Sequence, residues 1–153
     1  MRDLDRKVTE LKDRMRLDTG SVAPPVFAPD PSGKVQSLSA YRGSYVLLVF
    51  WASWSSSSCD AVRKILPQVH KEAAKGLTLF MVSLDRSKES WTRELEALKA
   101  EGVQVSDLKY WDSPFVESYR IEQVPVVYLL DKSGRIMYKN INPDEVENIL
   151  KNL

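Results

Sequence analysis

Cys59, the run Ser55-Ser56-Ser57-Ser58 before it, and His70 are the side chains of this 153-residue chain with the types that covalent chemistry needs. A serine nucleophile requires a histidine base within hydrogen-bond reach. His70 is the sole histidine, and the apolar spacing around it puts it inside a helix about three turns beyond Ser58, too far to touch on a straight helix. The serines therefore read as helix caps, and His70 as a surface or helix-packing side chain. One cysteine excludes an internal disulfide and a thiolate metal cluster. With a single histidine beside it there is no transition-metal ligand set, and no cofactor is expected. The residues alone leave Cys59 two roles: an inert, buried helix residue, or a reactive thiol whose pKa is depressed by a helix N-terminus.

The elements that must position these residues follow from periodicity. Tyr45 to Trp51 is a continuous run of β-formers without alternation, so it predicts a central strand buried on both faces. Val62, Ile65, Leu66, Val69 and Ala73 keep helical spacing, and Gly76 closes that helix. Leu77 to Leu84 is a second buried strand, and Trp91, Leu95 and Leu98 mark a second helix ending near Gly102. Phe115 to Tyr119 is a short helical candidate. Val126 to Leu130 is a third strand, joined through Asp131-Lys132-Ser133-Gly134 to a fourth at Arg135 to Lys139. Asn142, Pro143 and Glu145 spell a capped helix start with a capping box, and Val146, Ile149, Leu150 and Leu153 form the buried stripe after it.

Upstream, Leu4, Val8, Leu11 and Met15 predict an amphipathic helix over residues 3–17, read as packing on the domain or as a linker from a longer protein. Pro24, Pro25, Pro29 and Pro31 permit only turns or an edge strand, and Ser32-Gly33-Lys34 reads as the turn of a small hairpin. Two parallel crossovers followed by a hairpin give an α/β chain with a mixed sheet and helices on both faces. The net charge of +1 favours neither nucleic acid nor a charged membrane surface. No apolar run approaches the roughly 20 residues of a membrane span, and the first residues hold no apolar signal core.

This order, with Trp51-Ala52-Ser53-Trp54 at the end of the first central strand, resembles the thioredoxin fold. More narrowly it resembles the TlpA/ResA-type thiol–disulfide oxidoreductases, which are related to the AhpC/TSA peroxiredoxins. Ser39-Ala40-Tyr41-Arg42-Gly43 is similar to that family's lead-in. Gly76 and Val82-Ser83-Leu84-Asp85 fall at its glycine and strand end, and Val124-Pro125 with Val126 to Gly134 resembles its cis-proline strand and hairpin. The resemblance covers residues 21–153 and leaves 1–20 as an N-terminal helix or linker. It implies a polypeptide or protein thiol/disulfide partner, docked on the Val124 backbone beside Trp54 and Pro125. It also implies a cell-envelope or periplasmic location.

The departures lie where the family does its chemistry. Dithiol exchange needs two thiols three residues apart at a helix start, and Ser55 and Ser58 stand there. Val49 occupies the position of the thioredoxin aspartate before Phe-Trp, and Ala61 that of a ResA-type glutamate. Loss of the carboxylates along with the cysteines favours natural loss over an engineered replacement of two residues. Peroxiredoxins offer Cys59 a third role, since Phe50, Ser56 and Cys59 match the spacing of their motif, although Ala52 replaces its proline. The expectation is a family member without dithiol activity. The alternatives are a redox-inactive polypeptide-binding module using Trp54, Val124 and Pro125, and a one-cysteine peroxidase-like antioxidant using Cys59.

Overall fold

Alternation along the central strand decides the layers. In the computed structural model, which describes residues 17–153, β3 (Tyr45–Trp51) sends Val46, Leu48 and Phe50 to one side of the sheet. Leu47, Val49 and Trp51 go to the other. All six are buried, because both faces are covered. The helix of the expected N-terminal segment falls almost wholly on residues outside the described range. From Gly20 onward the chain is tied to the domain: Gly20 N–H donates to the carbonyl of Ile136 at 2.7 Å, and Ile136 N–H to that of Ser21 at 2.8 Å.

Two short strands, β1 (Phe27–Pro29) and β2 (Val35–Ser37), form the expected hairpin. After β3 come α1 (Ser56–Lys71), β4 (Leu77–Ser83), α2 (Lys88–Leu98) and β5 (Val103–Val105). Then follow α3 (Pro114–Ser118), β6 (Val126–Leu130), β7 (Ile136–Tyr138) and α4 (Val146–Lys151). Among the described residues the main sheet has five strands in the order β5-β4-β3-β6-β7. α1, α2 and α4 supply Val62, Ile65, Trp91 and Leu150 to the Leu47 face. The N-terminal segment and α3 supply Val26, Ala28 and Phe115 to the Phe50 face.

Two expectations are corrected. The second parallel crossover does not reach Val126–Leu130. It ends on β5, which pairs parallel with β4, while β6 runs antiparallel to β3. β5 reads Val-Gln-Val, too short and too polar at its centre to register as a strand, and it forms because β4 offers a free edge. Gly102 lets it close in: a Cβ there would sit 2.6 Å from the Leu79 carbonyl oxygen, and its φ is +87°. The expected capping box also does not form. Asn142 accepts from Asp144 N–H at 2.9 Å, and Pro143–Glu145 makes a 3₁₀ turn before α4. The tighter turn brings the second amide, not the third, to the cap.

Candidate functional site

Parallel register brings the ends of β3 and β4 together. Trp51 pairs with Ser83, so Ala52-Ser53-Trp54 emerges beside Leu84-Asp85. Asp85 is 1% exposed and its carboxylate is occupied. It accepts Ser53 N–H at 3.1 Å, Ser53 Oγ–H at 2.5 Å and Ser83 Oγ–H at 2.5 Å. Trp54 is pinned as well, its Nε1–H donating to the Leu84 carbonyl at 3.0 Å while 47% of the residue stays exposed. The turn between β3 and α1 is thus fastened to β4 at two successive residues.

Ser55 and Ser58, where the resemblance expects thiols, carry structural hydroxyls. Ser55 is the N-cap of α1, its Oγ accepting Ser58 N–H at 3.2 Å. Ser58 is fully buried. Its Oγ accepts Ala52 N–H at 3.1 Å and lies 3.0 Å from the carbonyls of Ala52 and Ser55, both acceptors for its one proton. The hydroxyl thereby replaces water for a buried amide that would otherwise lack a partner. Beneath it the expected carboxylate positions are apolar and buried, Val49 in the layer that also holds Cys59, and Ala61 on α1.

Cys59 follows in the first turns of α1 and is 4% exposed. Its Sγ lies 3.5 Å from the Ala52 carbonyl and 3.8 Å from that of Ser53, both acceptors for the thiol proton. Burial pushes the thiol up to about 11, and the neighbouring Glu94 carboxylate adds to this. The depression expected from a helix start is therefore not realised: loss of solvent around the thiolate outweighs the dipole. His70 lies on the surface, its side chain 77% exposed and 3.5 Å from Glu101.

The Val124-Pro125 peptide bond, next to the α1 start, is cis. Ser57 Oγ donates to the Val124 carbonyl at 3.4 Å, which places the backbone before Pro125 against the first turn of α1. Val124 itself is buried and Pro125 half-buried. Trp54 takes different ring partners, Tyr110 with centroids 5.5 Å apart and Trp111 at 5.8 Å. Sequence reasoning singled out neither Tyr110 nor Arg86. The guanidinium of Arg86 stands over the Tyr110 ring, 4.8 Å from its centroid. Adjacent aromatics just before the helix start Ser113-Pro114 were the one sequence signal for this cluster.

A five-stranded mixed sheet, a helix starting directly after its central strand, and a cis-proline opposite that start define a thioredoxin-like protein. Residues 43–136 match the family described as Thioredoxin-like, and the chain belongs to it. Within it the chain sides with thiol–disulfide oxidoreductases of the ResA kind. It is similar to the thiol-disulfide oxidoreductase ResA of Bacillus cereus, 25% identical over 146 residues that span 90% of this chain and 78% of that one. Among solved structures it is similar to the thioredoxin domain of a thiol-disulfide oxidoreductase from Bacteroides vulgatus, with 33% identity, a TM-score of 0.81, and coverage of 90% of this chain and 98% of that one. A thiol:disulfide interchange protein from Bacteroides sp. is equally similar, at 33% identity, a TM-score of 0.82 and 90% of both chains.

Proposed function

We propose that this member of the oxidoreductase family has given up dithiol exchange and works as a polypeptide-binding module. The observation that carries the reading is Ser58: buried, saturated with hydrogen bonds to the turn, and part of the scaffold rather than a reactive group. Ser55 is spent on the helix cap. Cys59 is buried and held protonated at neutral pH, which removes support from a peroxidase-like role. Trp54, Val124 and Pro125 keep the surface on which an extended polypeptide adds backbone hydrogen bonds at Val124 and packs a side chain on Trp54. A protein partner of this kind, a location in the cell envelope, and a division into a leading segment 1–20 and a domain 21–153 complete the proposal. No helix among the described residues is long and apolar enough to cross a membrane.

A cysteine-free, unstructured chain such as dephosphorylated β-casein tests binding apart from thiol chemistry. Titration should shift the Trp54 indole resonance, and Trp54→Ala should weaken binding at least tenfold. No binding, or equal binding by Trp54→Ala, would overturn the reading.

A further inference from the structure

The loop that carries Tyr110 and Trp111 to Trp54 is held in an unusual backbone state. Leu108 and Tyr110 have φ of 58° and 57°, a left-handed region that is unfavourable for a side-chain-bearing residue. Such conformations persist where surrounding contacts over-determine them, and they cluster at binding sites. Here Asp107 supplies the contacts, its carboxylate accepting Lys109 N–H at 3.1 Å and Ser113 Oγ–H at 2.7 Å. The result is three aromatic rings within 5.8 Å of one another beside the α1 start. Two of them, Trp54 and Tyr110, line a cleft of about 490 Å³ whose walls include Ser53, Arg86, Ser87, Ser90 and Arg93.

Most formal charges lining that cleft are already answered. Asp85 is taken by Ser53 and Ser83, Arg93 by Glu89 at 2.7 Å, and Glu94 by Arg63 at 3.5 Å. Among the described residues Arg86 has no carboxylate partner of its own: its contact is with an aromatic ring. The face of Tyr110 fixes the guanidinium while leaving its in-plane N–H groups open. A planar, pre-positioned guanidinium at the edge of an aromatic surface matches a carboxylate.

We propose that this cleft selects an acidic side chain in the bound polypeptide. Arg86 pairs with an Asp or Glu carboxylate of the partner, adjacent in the extended chain to the residue that packs on Trp54. The proposal rests on the polypeptide-binding reading and gives it a sequence preference. A single-stranded nucleic acid also stacks on aromatic rings and offers anions to Arg86, and the test separates it from a polypeptide.

The test is selection from a degenerate nonapeptide bead library by fluorescently labelled protein, followed by sequencing of the bound beads. Asp and Glu should be enriched about fivefold at one position, the size of one exposed charge pair. Arg86→Gln should lose that enrichment and keep the aromatic or apolar one, and Arg86→Glu should convert it to Lys and Arg. Arg86 is exposed, so both variants should melt like the parent. Apolar enrichment without an acidic preference, or an acidic preference that survives Arg86→Gln, overturns the proposal and leaves the polypeptide reading standing. No enrichment at any position overturns both. An octamer of oligothymidylate that binds more tightly than the selected peptides also overturns the proposal.

Discussion

Replacing Asp85 by Asn probes the coupling between the sheet and the site. The buried carboxylate accepts three hydrogen bonds, two from Ser53 and one from Ser83. An amide offers one acceptor oxygen. Ser53 N–H and Ser53 Oγ–H would have to share it, while the amide NH₂ would face Ser83 Oγ, which already accepts Asp85 N–H at 3.0 Å. A hydrogen bond to a charged group contributes about 1.5–3 kcal/mol against about 1 for a neutral one, so three weakened bonds cost roughly 2–4 kcal/mol. Less burial of charge returns part of this, and about 2 kcal/mol should remain as a net loss. Urea denaturation of parent and variant measures it, with an unchanged slope showing that the same surface is exposed. The Trp54 indole resonance should broaden or move, since Trp54 hangs from Leu84 and the Ser53 tie. A loss below about 0.5 kcal/mol with an unmoved Trp54 indole would refute the view that Asp85 holds the turn.

The remaining predictions concern Cys59, Ser58 and Ser55. With Cys59 raised from 9.0 to about 11, about one thiol in ten thousand is ionised at pH 7 instead of about one in a hundred. Iodoacetamide labelling followed by mass spectrometry should be about 100-fold slower in the native protein than in urea, and a native rate within about threefold of the unfolded one would contradict this. The sign for stability follows. The folded state favours the neutral thiol, so its contribution is complete below pH 9.0 and is lost as pH rises toward about 11, which a series of urea melts across that window would register. Ser58→Ala leaves Ala52 N–H without its acceptor in a buried site and should cost about 1–3 kcal/mol in the same denaturation assay. Ser55→Cys combined with Ser58→Cys should yield a pair that oxidises and that reduces insulin faster than the parent. Turnover should stay slow, because Val49 and Ala61 provide no carboxylate to carry the proton; unchanged inactivity would show that the scaffold lacks more than thiols.

The parts of the fold legible in the sequence are those written in local chemistry. The unbroken apolar run of β3, the Gly76 stop at φ +78°, the Asn142-Pro143 start and the Asp131–Gly134 hairpin each announce themselves within a few residues. β5 does not, because its partner Phe80 lies 23 residues from Val103 and tertiary pairing supplies what propensity lacks. The direction of β6 was also hidden: Val126–Leu130 is apolar in either orientation, and only the antiparallel register with β3 fixes it. At the site, the Ser55 cap was legible from residue type. The bond from Ser53 to Asp85 spans 32 residues and exists because β3 and β4 end level. The Cys59 thiol followed burial rather than helix position, and burial is a property of packing that spacing does not report. Tyr110 was invisible for a different reason, since a left-handed tyrosine has no propensity signal.

The central claim is that the thioredoxin scaffold persists here without its exchange chemistry. Insulin disulfide reduction by dithiothreitol, followed by turbidity with and without the unmodified protein, tests it most directly. The account predicts identical onset times at any protein concentration, with Cys59 still free at the end. A concentration-dependent acceleration, abolished by Cys59→Ala, would contradict it.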